Sequence, residues 1–252
     1  MKGRSAEVAD MLKRRKVDVC GFQEVRFKGE GTTVIKGEDN GARFKWFWKG
    51  NGSSTNGVGF AIREDWAKSV VAVKRVSDRV LRVDVVIEAE VVSFVVVYAP
   101  QVGRSAEEKE KFYDSVYAVR ADIRGRCVML GDWNGHVGSV RKGYCAHGGF
   151  GVGDMNAEGE AILELAASCG MVVVNTWFIK EESKLVTYES GDSRTVVDYI
   201  LVNEEEKNVK DAKVIAGECD QHKLLVMDWR IRKVKRRKVE GKGRLKLWKL
   251  IE

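Results

Sequence analysis

Proline is almost missing: Pro100 alone carries it among 252 residues, where average usage near ~5% predicts about a dozen. Turns must therefore be made mostly by the 26 glycines. Histidine is scarce too, so imidazole chemistry is confined to His136, His147 and His222. No apolar run approaches the ~18 residues of a membrane-spanning helix, which removes a membrane partner from the expectations. Nothing after Met1 resembles the apolar stretch of a signal peptide. The five cysteines (Cys20, Cys127, Cys145, Cys169, Cys219) are an odd number, widely spread, with no CxxC pair. Both absences point to a reducing, intracellular compartment. The one metal reading the cysteines offer is a zinc half-site at Cys145 and His147.

What is present is globular, at 44% hydrophobic and 32% charged, and a chain of this length buries a core of its own. The formal charge is +7, but it is concentrated. Residues 230–249 hold eleven Lys or Arg and the single acid Glu240, and the remainder is slightly acidic, 33 basic against 36 acidic. Two parts follow: a domain over 1–231 and a basic extension over 232–252 whose few apolar residues cannot form a core. Lys235-Arg236-Arg237-Lys238 within it fits a nuclear-import run, so a nuclear location is expected.

Periodicity predicts helices over 4–15, from Ser105 through Ile123, and over 156–169. Ser105 and Glu108 have capping-box spacing, and Phe112, Val116, Val119 and Ile123 recur on one face. Strands are predicted over 17–24, 44–48, 57–63, 70–75, 80–87, 91–98, 126–130, 171–175, 195–201, 213–217 and 222–231. The run 91–98 is apolar almost throughout, as in a strand covered on both faces. Strict strand–helix alternation is missing. One α/β domain with a largely antiparallel, two-sheet core is expected, not a dinucleotide-binding sheet.

Polar residues at the ends of apolar strands are the candidates for chemistry. They are Gln23-Glu24, Tyr98-Ala99-Pro100, Gly131-Asp132-Trp133-Asn134, Asp198-Tyr199 and Asp220-Gln221-His222. Singly, each reads as a turn former or a solvated charge; their joint occurrence in this order is specific.

In that order they resemble the endonuclease/exonuclease/phosphatase superfamily. The segments 5–12 (SAEVADML) and 221–228 (QHKLLVMD) are most similar to the apurinic-endonuclease-like domain of non-LTR retrotransposons. The resemblance covers about 1–232 and places the lone proline at the family's Tyr-x-Pro position. It implies a four-layer α/β sandwich of two packed, mainly antiparallel sheets. It also implies Mg²⁺ (or Mn²⁺) and hydrolysis of a DNA phosphodiester that leaves a 3′-hydroxyl. Glu24 would hold the metal, and Asp132 would deprotonate the attacking water with Asn134 beside it. His222 would donate to a phosphate oxygen, with Asp198 keeping it cationic, and Tyr98 would offer its phenol to the phosphate or the leaving oxygen.

Two departures follow. The family's first strand, with its Trp-Asn pair, has no counterpart in this sequence. Gln221 stands where the family places Asp, which leaves Asp220 as second metal ligand, one residue off and turned to the opposite face of a strand. Asn175, Arg194, Asn56 and Thr187 are candidate phosphate contacts, and Trp177, Trp133 and Tyr188 candidate stacking surfaces. DNA is the implied partner, with a reverse transcriptase domain in a parent polyprotein. The alternative is a non-catalytic descendant that binds nucleic acid or protein, and a phosphomonoester substrate is a third reading.

Overall fold

The computed structural model describes residues 4–38, 41–53, 55–206, 208–218 and 221–231. Helix α1 (Ser5–Arg14) leads into a first group of strands, β1 (Val19–Gln23), β2 (Glu30–Lys36), β3 (Arg43–Lys49) and β4 (Val58–Arg63). These form an antiparallel sheet in the order β1-β4-β3-β2. A second group follows: β5 (Val70–Arg75), β6 (Val80–Ile87), β7 (Glu90–Tyr98), α2 (Ala106–Ala121), β8 (Arg126–Asp132), α3 (Ala157–Ser168) and β9 (Met171–Val173). The hairpin β10 (Tyr188–Ser190) and β11 (Ser193–Thr195) precedes β12 (Asp198–Asn203), β13 (Val209–Ile215) and β14 (Leu224–Trp229). The second large sheet has the order β5-β6-β7-β8-β12-β9, and β13 and β14 pair separately. Among the strand pairs of the described residues, only β7 and β8 run parallel, joined through α2.

Three apolar cores separate four layers, which bears out the expected sandwich. Leu12 and Ala9 of α1 pack with Phe44, Trp46 and Ala61 on the outside of the first sheet. Phe47, Phe60 and Ile62 meet Leu81, Val83, Phe94 and Val96 between the sheets. Phe112 and Val116 of α2 and Ile162 and Leu165 of α3 cover Val95, Val97, Met129 and Leu201 on the far side. The run 91–98 explains itself here, because Val95 and Val97 face the helices while Phe94 and Val96 face the other sheet.

Strands β1 and β14 belong to one layer. In β1, Val19 faces the core between the sheets while Phe22 faces the α1 side; in β14, Leu225 and Val226 divide the same way. Yet β1 pairs only with β4 and β14 only with β13 among the described residues. Among the described residues, one layer therefore holds an edge of β1 and an edge of β14 that no other strand pairs.

Other expectations needed correction. Strand β2 was not expected, because Thr32, Thr33 and Val34 are exposed and only Ile35 is buried, as befits an edge. The three-residue strands β10 and β11 were too short to carry a periodic signal. The capping box at α2 is half made. Ser105 Oγ accepts from Glu108 N–H at 3.3 Å, but the Glu108 carboxylate goes to Arg79 Nη2 at 2.6 Å.

Asn156 caps α3 and also ties down the glycine-rich loop before it. Its Oδ1 accepts from Gly159 N–H at 2.8 Å and from His136 N–H at 2.8 Å. Asn156→Ala leaves two donors without their acceptor, and denaturant unfolding is expected to show a loss of about 1–2 kcal/mol. An unchanged stability would mean that water replaces the cap.

Candidate active site

Register brings three of the candidate side chains onto adjacent strands. Tyr98 of β7 lies opposite Asp132 of β8, and Asp132 lies opposite Asp198 of β12. Strand β1 packs across β7 and β8, so Glu24 at its end arrives over the same spot. His222 joins from the segment leading into β14, through a bridge to Tyr188. Glycine permits the close approach: a Cβ on Gly131 (φ 150°) would lie 2.0 Å from Val97 O. Both Glu24 and Asn134 hold φ near 49°. Asn adopts that left-handed conformation more readily than Glu.

Asp132 is 4% exposed. Its Oδ1 accepts from Asn134 N–H at 2.9 Å and its Oδ2 from Asn134 Nδ2 at 3.2 Å. Asn134 Nδ2 also donates to Ala99 O at 2.9 Å, which fixes the amide. His222 Nδ1 donates to Asp198 Oδ2 at 3.0 Å, leaving Nε2 to face Asp132 Oδ2 at 3.9 Å. Asp198 is itself held from behind. Asn175 Nδ2 donates to Asp198 O at 2.9 Å, and Thr187 Oγ1 accepts from Asp198 N–H at 3.1 Å.

The electrostatics follow from crowding acids in a dry place. Burial first, then the neighbouring charge of Asp198, push the Asp132 carboxyl up to about 7, against the pull of His222. Burial opposes a charge on His222, but the Asp198 bond and the charges of Asp198, Asp132 and Glu24 outweigh it and hold the imidazole up at about 9. These titrations belong to the cluster as a unit. Burial raises Glu24, yet the bonds from Tyr98 and Arg26 prevail and its carboxyl lies below the ordinary range. Burial and the Glu24 bond keep the Tyr98 phenol protonated.

The candidates thus divide. Glu24, Tyr98, Asp132, Asn134, Asp198 and His222 come together. Tyr98 does not present its hydroxyl to a substrate, because the O–H is spent on Glu24 Oε1 at 2.8 Å. Asn175 is not a substrate contact either: it is 5% exposed, and its Oδ1 accepts from Ile200 N–H at 3.0 Å. Thr187 is buried under Asp198, and Trp133 is buried against Phe112 rather than free to stack. Asn56 donates to Asp78 Oδ2. Trp177 is exposed at the end of a 3₁₀ turn, Arg194 sits on β11 facing Glu189, and the Tyr188 ring lies 4.8 Å from His222. Asp220 lies outside the described residues, as does the extension 232–252.

The zinc half-site fails. His147 is fully buried with Nε2 donating to Gly138 O at 3.1 Å and Nδ1 accepting from Gly149 N–H at 3.0 Å, so neither nitrogen is available. Among the described residues no three His, Cys, Asp or Glu side chains are arranged to hold a metal together. The donor set at Glu24 still fits a hard divalent ion that keeps most of its waters. Glu24 is ionised and partly exposed, with its carboxylate at the end of β1 beside the buried Asp132.

Comparisons with known proteins agree with this architecture. Residues 1–218 match the sequence profile of the Endonuclease/Exonuclease/phosphatase family, a span that stops before His222. Craniofacial development protein 2 of Bos taurus is 25% identical over 240 residues, 91% of this chain and 39% of that protein. The same protein of Tragulus javanicus is 23% identical over 91% of this chain and 40% of its own. The chain therefore spans about two fifths of these relatives. Among solved structures, the endonuclease domain of TRAS1, a telomere-specific non-LTR retrotransposon, superposes with TM-score 0.62 at 15% identity, covering 92% of this chain and 95% of that one. The 3′ phosphatase NExo from Neisseria, bound to product DNA hairpin, gives TM-score 0.61 at 17% identity, covering 90% and 95%.

Proposed function

This chain belongs to the Endonuclease/Exonuclease/phosphatase family, and on that premise we propose that it is a divalent-metal-dependent endonuclease that nicks DNA and leaves a 3′-hydroxyl. The observation that carries the reading is the row Tyr98–Asp132–Asp198 across three neighbouring strands, with His222 and Glu24 closing over it.

A phosphodiester is anionic and repels nucleophiles, so its charge must be offset while a water is aimed in line. Asp132 is the base: its raised carboxyl affinity lets it take a proton from water near neutral pH. Asn134 fixes the orientation of Asp132 through two bonds. His222 stays cationic and donates from Nε2 to a non-bridging oxygen, because Nδ1 is committed to Asp198. Tyr98 holds Glu24 in place. Mg²⁺ or Mn²⁺ would be held by Glu24, with Asp220 a further candidate, and supplies Lewis acidity worth several kcal/mol when bound.

The basic extension 232–252 adds sequence-independent grip on phosphates and, in a retroelement parent, leads toward a reverse transcriptase domain. Nuclear import through Lys235–Lys238 belongs to the same proposal. Purified protein is expected to relax supercoiled plasmid in Mg²⁺ and to stop on EDTA, and a DNA polymerase should extend the nick without prior end repair. Ends that need a phosphatase first would contradict the stated product. The edges of β1 and β14 left unpaired among the described residues favour a second reading, a non-catalytic module that binds DNA or protein, which predicts DNA binding with no nicking in either metal.

A further inference from the structure

Arg79 is absent from every motif in the sequence, yet it is tied to the site at four points. It directly precedes β6, and its side chain is 12% exposed. Its carbonyl accepts Tyr98 N–H at 2.9 Å. Its Nη1 donates to Tyr98 O at 3.2 Å and, more weakly, to Ala99 O at 3.4 Å. Its guanidinium lies 5.2 Å from the centroid of the Tyr98 ring. The far nitrogen, Nη2, is bound by Glu108 in the first turn of α2, which is why the capping box is only half made.

The segment it grips is the junction of the site. The Tyr98 hydroxyl orients Glu24. Ala99 O accepts from Asn134 Nδ2, whose amide also holds Asp132. Ala99 N–H donates to Asp132 O at 2.8 Å. A shift of the 98–99 segment therefore moves the metal-holding carboxylate and the base together. Arg79 itself is nearly buried, and its charge is neutralised by Glu108, so it is poorly placed to serve a phosphate.

We propose that Arg79 is a positioning residue that acts through Tyr98 and Ala99, setting the relation of Glu24 to Asp132 without contacting DNA. This deepens the proposed function and rests on it. Other basic residues near the strand ends would act through substrate affinity; Arg79 acts on the chemical step.

The test compares Arg79→Met, Arg79→Lys and Tyr98→Phe singly and combined, on an oligonucleotide duplex in Mg²⁺. Arg79→Met is expected to lower kcat by about 10²-fold, the scale of a misplaced catalytic group. KM and the salt dependence of DNA affinity should stay as in the wild type. In the Tyr98→Phe background the link to Glu24 is already released, so the loss should shrink to about tenfold, the part carried through Ala99 and Asn134. Arg79→Lys, which restores charge but not the fork, should recover part of kcat. An equal loss in both backgrounds overturns the proposal. So does a loss confined to KM with a salt slope lower by about one, which marks a phosphate contact.

A second readout needs no activity. With 3-fluorotyrosine incorporated, the ¹⁹F resonance absent from Tyr98→Phe identifies residue 98, and Arg79→Met or Arg79→Lys should shift it. If the wild type fails to nick, the proposed function falls while the fluorine spectrum still decides on Arg79. An unmoved Tyr98 resonance in a folded variant refutes the positioning role.

Discussion

Asp132→Asn is expected to reduce nicking by about 10³-fold while the protein folds as before. The substitution keeps the shape of a side chain that is 4% exposed and removes the one group placed to accept a proton from water. It also removes a charge that the fold holds at a cost. Burial and Asp198 raise the Asp132 carboxyl in the native state, so above the ordinary carboxylate range its ionisation favours the unfolded chain. The variant should accordingly unfold at the same temperature or higher by calorimetry, the pattern of a site that trades stability for activity. A large loss of stability with activity retained would place Asp132 in the framework and not in the chemistry.

His222→Ala should cost about 10²–10³-fold in kcat, the scale for removing one donor to a developing oxyanion. The pH profile carries the finer prediction. Activity needs Asp132 deprotonated, so the rate rises as pH passes its raised value, about 7. It needs His222 protonated, so the rate falls as pH passes about 9. A bell results, whose limbs are properties of the coupled cluster. Asp198→Asn keeps an acceptor for Nδ1 but removes the charge that helps hold the imidazole up, so its alkaline limb should move to lower pH. Histidine NMR should show the same displacement without any substrate. A His222 titration that is indifferent to Asp198 would detach the imidazole from the role given to it.

The apolar runs made much of this legible in advance. Residues 91–98 and 126–130 are long enough and apolar enough to read as covered strands, so Tyr98 and Asp132 could be placed at their ends before any coordinates. Leu81, Val83 and Val85 alternate along the sequence, a period-2 pattern that puts them on one strand face, and they pack between the sheets. Register was not legible. That Tyr98, Asp132 and Asp198 fall opposite one another depends on pairings between strands far apart in sequence, which no local pattern encodes.

The same limit misassigned several polar residues. Asn175 and Thr187 looked like substrate contacts because they stand near motif strands. Their partners are backbone atoms of β12 and its approach, visible only once the chain has folded. Tyr98 was assigned to the phosphate for want of knowing that Glu24 would arrive within bonding distance. Glu108 was read as half of a capping box, but a nearby guanidinium competes better for its carboxylate than a backbone N–H does.

The central claim is tested most directly by one plasmid assay. Wild-type protein and the Asp132→Asn variant, purified side by side, are incubated with supercoiled DNA in Mg²⁺ and the open-circular product is followed in time. The wild type should accumulate open circles at a rate that EDTA abolishes, with the variant at or near background. Equal rates from the two preparations, or open circles that persist in EDTA, would contradict a metal-dependent site built on Asp132.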